Sequence, residues 1–356
     1  FLRANAPYIS KSSVVIDCCG TKENICRTGF ELAEKYGFLY AGGHPMAGTH
    51  YSGFSASTPE LFSEYQAHPE KYNFPFRRGV DFYHHYKEDI ALFGEMGFKT
   101  FRMSISWSRL FPTGREEKPL TEGVQFYHNV FRELHKYGIE PLVTLSHYEM
   151  PLALATKYNG WVDRRVIDCF AKFCHVCFER YKDQVKYWLT FNEVDSVIRH
   201  PFTTAGIIPS RVPEDKMLET CYQALHHQLV ASAMVVKDCH EIIPGSKVGC
   251  MLTKLTTYAR TCAPDDELAT QAKNLENLFY ADVHVWGEYP RLILKMFERK
   301  GIHVEMLPED AATLKAGCVD FVSCSYYMTM TESVDPNAER TPGNTVLGVK
   351  LSLIHI

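Results

Sequence analysis

The sequence has 356 residues, 46% of them hydrophobic and 22% charged, with a formal net charge of −4. That is enough chain for one large domain or two ordinary ones around a soluble globular core. The small negative charge gives no electrostatic reason to expect nucleic acid or an anionic membrane surface as a partner. There is no signal peptide and no long apolar run, so no membrane span is expected and the expected location is cytoplasmic. The chain starts at Phe1 rather than Met, and the expectation is that its true N-terminus is missing.

The first stretch alternates strand, helix and strand. Residues 14–17 are a short β-branched run. Residues 23–35 fit an amphipathic helix with Ile25, Phe30 and Leu32 on its apolar side, stopped by Gly37. Residues 38–41 fit a second strand, which runs into the glycine-rich loop Gly42-Gly43-His44-Pro45-Met46-Ala47-Gly48. Near residues 58–72 the character changes. A helix is expected over 80–96, with Val80, Tyr83, Tyr86, Ile90, Phe93 and Met96 on one side and Gly97 at its end. The pattern then continues as strand 98–105, helix 124–137, strand 140–145, helix 166–181, strand 185–191, helix 218–240, strand 247–252 and strand 319–324.

Strands alternating with helices of this length argue for a parallel sheet with right-handed crossovers. Polar and aromatic residues gather just after each strand: Ser104-Ile105-Ser106-Trp107, Ser146-His147-Tyr148-Glu149, Asn192-Glu193 and Ser325-Tyr326-Tyr327. A (β/α)8 barrel carries its chemistry at those strand ends, and so does a doubly wound open sheet. Periodicity favours the barrel only modestly.

The twelve cysteines lack a metal framework. Cys18 and Cys19 are adjacent and Cys174 and Cys177 are one helical turn apart, with no second pair at zinc spacing. They read as reduced thiols, and no metal is expected.

Glycosidic bond cleavage needs a carboxyl group to protonate a poor leaving group while positive charge builds at the anomeric carbon. Glu193, directly after a strand, could do this. Taken alone, Asn192-Glu193 is equally a surface pair or a helix N-cap. The surroundings add weight. The chain resembles glycoside hydrolase family 1 from about Tyr72 to about Lys350. The resemblance is carried by Asp81-Phe82-Tyr83-His84-His85-Tyr86-Lys87-Glu88-Asp89-Ile90, Phe101-Arg102-Met103-Ser104-Ile105-Ser106-Trp107-Ser108-Arg109 and Thr144-Leu145-Ser146-His147-Tyr148-Glu149-Met150-Pro151. Gly160-Trp161, Thr190-Phe191-Asn192-Glu193, Gly287-Glu288-Tyr289-Pro290 and the run from Asp320-Phe321 to Tyr327 complete it.

The resemblance implies a (β/α)8 TIM barrel, here incomplete, and a retaining β-glycosidase acting on O-glycosyl bonds of a small sugar or phospho-sugar, with no cofactor. It makes Glu193 the acid/base and gives Asn192 and His147 to sugar hydroxyls. It places Trp161 at the mouth of the sugar pocket, and Arg102 and Tyr327 beside the nucleophilic carboxylate. Without the resemblance, Arg102 could pair with a structural acid and Trp161 could be core. The run Asn192-Glu193-Val194-Asp195, with Phe-Val-Ser-Cys-Ser-Tyr-Tyr at 321–327, looks like the bacterial 6-phospho-β-glucosidase branch, whose members cleave phosphorylated disaccharides delivered by phosphotransferase uptake. The family's nucleophile motif, (Ile/Val)-Thr-Glu-Asn-Gly, is absent from the sequence, so the chain as it stands is expected to be inactive. Thr331-Glu332-Ser333 follows the preceding motif too closely to replace it.

Residues from about 14 to 62 resemble a fragment of prephenate dehydrogenase, an NAD(P)-dependent enzyme of tyrosine synthesis. Asp17-Cys18-Cys19-Gly20-Thr21-Lys22 and Gly43-His44-Pro45-Met46-Ala47-Gly48 carry that likeness, and His44 matches the residue that contacts the reacting hydroxyl. A dehydrogenase of this kind needs a Gly-x-Gly-x-x-Gly loop, and residues 1–13 supply none. The expected organisation is a short Rossmann-type α/β fragment at 1–62, a barrel fragment at 63–350 covering about strands 2 to 6, and a foreign tail at 351–356. The two parts read as an artificial join near residues 62–64. A third reading, a non-catalytic sugar-binding or structural remnant, is disfavoured because unpaired sheet edges invite aggregation. The oligomeric state is not legible.

Overall fold

A computed structural model describes residues 6–8, 11, 14–17, 23–42, 80–326, 328–342 and 347–349. The first unit is a single strand–helix–strand repeat. Strand β1 (Val14–Asp17) and strand β2 (Leu39–Gly42) pair in parallel, with Val14 opposite Leu39, and helix α1 (Glu23–Tyr36) crosses between them. Leu32 and Ala33 of α1 join Ala6 and Phe38 in a small buried cluster. Phe30, expected on the apolar side, is exposed instead. At about 100° per residue it lies roughly 200° round the helix from Leu32, so the two cannot share a face.

The larger unit begins with helix α2 (Phe82–Glu95) and strand β3 (Thr100–Ser104). Helix α3 (Thr121–Lys136), strand β4 (Glu140–Ser146), helix α4 (Arg165–Tyr181) and strand β5 (Tyr187–Phe191) follow. Next come helix α5 (Met217–Ile242), strand β6 (Lys247–Thr253) and strand β7 (Thr256–Ala259). Three helices, α6 (Pro264–Trp286), α7 (Arg291–Lys300) and α8 (Pro308–Ala316), precede strand β8 (Phe321–Ser325) and strand β9 (Thr329–Glu332).

Strands β3, β4, β5, β6 and β8 form one parallel sheet in chain order. No reversal of order occurs in it, which separates a barrel from a doubly wound sheet, where ligands bind at the reversal. The sheet is five strands of an incomplete (β/α)8 barrel. Strands β7 and β9 form a separate parallel pair outside it.

Burial follows position in the sheet. Central strand β5 is buried from Trp188 to Phe191, whereas β8 at the edge alternates and leaves Val322 exposed. A parallel strand covered on both faces is buried at successive rather than alternate residues, as Val143 to Ser146 and Trp188 to Phe191 show. Helix α4 turns Val166, Ile167, Phe170, Phe173, Cys174, Cys177, Phe178 and Tyr181 inward, the recurrence of three and four expected of an amphipathic helix. Cys174 and Cys177 are thus core residues, and burial pushes their thiols well up. The nine cysteines from Cys169 to Cys324 are free.

Helix α2 departs from expectation. Ile90 is its one fully buried side chain, and Val80 and Met96 lie beyond its ends and are exposed. Among the described residues no strand pairs with the outer edge of β3, so α2 packs through fewer contacts. Phe93 stacks on Phe98 and Phe101, and Tyr83 packs on Phe126 of α3.

Two ionic clusters, one around buried Asp310 and one around exposed Asp320, tie the helices to the sheet. Arg164, just before α4, forms a two-pronged ion pair with Asp310 in the first turn of α8. Asp310 also meets Nε2 of His226 on α5 at 2.9 Å and accepts the Leu307 backbone N–H at 2.8 Å. Burial alone would raise this carboxyl. The donors from Arg164, His226 and Leu307 outweigh that and hold it at about 2. At the opposite end of the sheet from the site below, Asp320 accepts from Lys247 at 2.9 Å and the Val248 N–H at 2.8 Å, and meets His240 at 2.8 Å.

Candidate active site

Because the five strands are parallel, their C-terminal ends share one rim. Ser104 of β3 lies opposite Thr144, and Ser146 of β4 lies opposite Phe191 of β5. That register brings residues far apart in sequence together. Arg102 on β3 donates Nε to Thr144 Oγ1 at 3.0 Å and Nη2 to Asn192 Oδ1 at 2.7 Å. The Asn192 N–H donates to the Ser146 carbonyl at 2.9 Å, which extends the ladder one residue past the strand.

Glu193 then leaves the sheet with φ 45°, in the left-handed region. It stands at the N-cap position of a short turn, Val194–Ile198, but makes no side-chain cap. It is 9% exposed, so it is not a surface residue either. Its carboxylate accepts a hydrogen bond from the Tyr148 hydroxyl. Tyr148 has φ 69°. Two non-glycine residues in a costly backbone conformation thus face each other at the strand ends, where such strain tends to collect around function. Burial, with the Glu193 carboxylate beside it, pushes the Tyr148 phenol far up, so it stays protonated and donates.

His147 keeps solvent contact at the rim, yet protein atoms crowd most of its surroundings. That desolvation, helped by the Arg102 charge and opposed by Glu193, lowers the imidazole to about 4. A neutral ring at neutral pH can both donate to and accept from an uncharged hydroxyl.

Behind Glu193 sits a charged network that the sequence did not announce. Asp195 is fully buried. It pairs with Arg199 Nη2 at 2.8 Å and accepts the Thr253 N–H, at the end of β6, at 2.7 Å. Arg199 Nη2 also donates to Thr253 Oγ1 at 3.1 Å. Burial pushes the Asp195 carboxyl up, against the pull of Arg199.

Of the residues expected at the site, Arg102, His147, Asn192 and Glu193 converge on the rim. Trp161 does not reach an open mouth. It is 1% exposed and packs edge-on against Phe170 and Phe191. Gly160 makes that placement possible. It has φ 64°, and a Cβ there would meet the Ala205 carbonyl oxygen at 2.0 Å. His227 Nδ1 then holds the Trp161 carbonyl at 2.8 Å. Trp161 therefore supports the strand carrying Glu193 from behind. Tyr327 and His44 lie outside the described residues. Tyr148, Asp195, Arg199 and Thr253 are the additions. Tyr148 and Asp195 stand within the motifs quoted above, but only the fold reveals their partners.

Glu332 is no second carboxylate for this rim. It lies at the end of β9, outside the main sheet, and pairs with Arg340 at 2.7 Å. Among the described residues no group of three or more His, Cys, Asp or Glu side chains converges as metal ligands do, and no helix is long and apolar enough to cross a membrane.

Comparison with known proteins gives the family. The family model for glycosyl hydrolase family 1 matches residues 48–349, and that for the nucleotide-binding domain of prephenate dehydrogenase matches residues 1–67. The two matches overlap over residues 48–67. The chain is 50% identical over 272 residues to a 6-phospho-beta-glucosidase of Clostridium longisporum, covering 76% of this chain and 57% of that protein. It is 47% identical to the aryl-phospho-beta-D-glucosidase BglH of Bacillus subtilis (strain 168), covering 77% of this chain and 58% of that protein. The chain thus spans a little over half the length of these relatives. Among solved structures, the family 1 β-glucosidase of Thermotoga maritima superposes with a TM-score of 0.63 at 29% identity, covering 72% of this chain and 56% of that one. The chain belongs to glycosyl hydrolase family 1.

Proposed function

We propose that the barrel region is the acid/base half of a retaining β-glycosidase that hydrolyses 6-phospho-β-glucosides. The observation that carries this is the carboxyl of Glu193, buried at the end of β5 and bonded to Tyr148 rather than capping the turn it opens. In its protonated form Glu193 gives its proton to the glycosidic oxygen as the bond to the anomeric carbon breaks. A second carboxylate attacks that carbon and forms a glycosyl-enzyme. Glu193, now ionised, takes a proton from water, which releases the sugar. Neutral His147 and Asn192 would bind sugar hydroxyls, and Arg102 and Tyr327 would steady the nucleophile. The 6-phosphate preference is supported by the Asn192-Glu193-Val194-Asp195 run and by the names of the relatives. Such substrates arise in the cytoplasm, where we place the protein.

A retaining site needs its two carboxyl groups about 5–5.5 Å apart. The 356 residues hold no Thr-Glu-Asn-Gly string, so we propose that this chain alone does not turn over. The test is to assay it against an aryl 6-phospho-β-glucoside, alone and continued at both ends, with the matching segments of the Clostridium longisporum relative in place of residues 1–62 and past Lys350. Hydrolysis by the continued form only, and faster with the 6-phosphate than without, is the expected result. Turnover by the 356-residue chain contradicts its inactivity, and indifference to the phosphate contradicts the substrate.

For the first unit the prephenate dehydrogenase match supports a second reading, that of a nucleotide-binding fragment. The residues present do not fit a dinucleotide. The link between β1 and α1, residues 18–22, holds a single glycine, Gly20. No step is assigned to NAD(P). We propose that the two units come from separate genes joined near residues 62–64. PCR on source DNA across those codons should then give no product while each half amplifies alone, and a single product of the given sequence refutes the join.

A further inference from the structure

We infer that Asp195, Arg199 and Thr253 form a strut that positions Glu193, by pinning the turn after β5 to the end of β6. The inference deepens the acid/base reading of Glu193 and takes its catalytic meaning from it. Asp195, Arg199 and Thr253 are positioning residues and touch no reacting atom.

With φ 45°, Glu193 is in a conformation that a side-chain-bearing residue leaves unless its surroundings hold it. One short turn follows, closed by Ser196 N–H to the Glu193 carbonyl at 2.9 Å. A single hydrogen bond is a weak restraint on a strained residue. The strut supplies the rest. Asp195 Oδ1 accepts from the Thr253 N–H and Oδ2 from Arg199, so both carboxylate oxygens are used and both tie to β6, directly or through Arg199. Ser196 Oγ adds a bond to Thr204 Oγ1 at 2.7 Å. The turn is therefore fixed at residues 195, 196 and 199, next to Glu193, whose carboxylate meets Tyr148.

The choice of residue types supports positioning over stability. A buried ion pair gains little over apolar packing of the same volume, because both charges must be desolvated. What it adds is direction, since the planar carboxylate and guanidinium bond only where their partners stand.

The strut can be tested on the 356-residue chain without any turnover, so the outcome is independent of the substrate assigned above. The proton that Tyr148 donates to Glu193 should give a hydroxyl resonance downfield of the amides in proton NMR, assigned by its loss in Tyr148→Phe. Arg199→Gln and Asp195→Asn should abolish or broaden that resonance while circular dichroism still shows a folded chain. Arg164→Gln, which weakens the separate Asp310 cluster, should leave it in place at comparable loss of thermal stability. Arg199 is partly exposed and its variant is the milder, so it carries the test if Asp195→Asn fails to fold. The strut is refuted if the resonance is absent from the unaltered chain, survives in Arg199→Gln, or is lost equally in Arg164→Gln.

Discussion

Strand β1, helix α1 and strand β2 form one strand–helix–strand repeat over a buried cluster of Ala6, Leu32, Ala33 and Phe38. The barrel region uses the same repeat along five parallel strands, and its core holds Trp107, Trp161, Trp188 and a run of phenylalanines. The local grammar is shared and the outcome is not. One repeat buries too little apolar surface to offset the entropy of ordering it, whereas each further repeat buries both faces of a strand already in place. Only the larger unit can hold two non-glycine residues in left-handed conformations across a rim.

The comparison can be broken first at its core. Phe170 is fully buried and touches the rings of Trp107, Trp161, Phe173 and Phe191. Phe170→Ala should cost the main urea transition about 3–5 kcal/mol, and Leu32→Ala in the first unit should leave that transition unmoved. Equal shifts from both variants would mean that the chain unfolds as one body.

The ionic cluster gives a smaller effect with a pH signature. Asp310 is held below its unfolded value of about 4. The stability this carboxylate contributes is therefore complete above about pH 4 and lost as pH falls toward about 2. Asp310→Asn should lower stability at pH 7 by about 1.5–3 kcal/mol, and melting curves of the two proteins should converge toward pH 2. A gap independent of pH would remove the charge from the account. Smallest of all, Glu179→Ala on the surface of α4, which breaks a 3.1 Å contact with Lys182, should change stability by less than about 0.5 kcal/mol. A larger loss would show that surface pairs, not the core, separate the two units.

Much of the fold was legible, and what was missed has physical reasons. Strand 140–145 and helix 166–181 stand within a residue of Glu140–Ser146 and Arg165–Tyr181, because each carries an uninterrupted pattern of its own period. Helix α6 was not announced. Its inward face includes Asp266, Thr270, Asn277 and His284, and Asn277 bonds the Leu255 N–H and the Thr253 carbonyl instead of contributing to an apolar stripe. Asn192 and Glu193 could be named from their motif. The pairing of Tyr148 with Glu193 could not, since it depends on the register that sets Ser146 opposite Phe191. Whether Trp161 was core or rim rested on Gly160, whose approach to Ala205 is a tertiary fact.

The central claim is that Glu193 is the proton donor and acceptor. The direct measurement is hydrolysis of a series of 6-phospho-β-glucosides with leaving groups of rising basicity, by the chain continued at both ends and by its Glu193→Gln form. The account predicts a loss of about 10²–10⁴-fold for the poorest leaving groups, shrinking toward the best ones, which need no protonation. Equal rates in the two forms for a poor leaving group would contradict it.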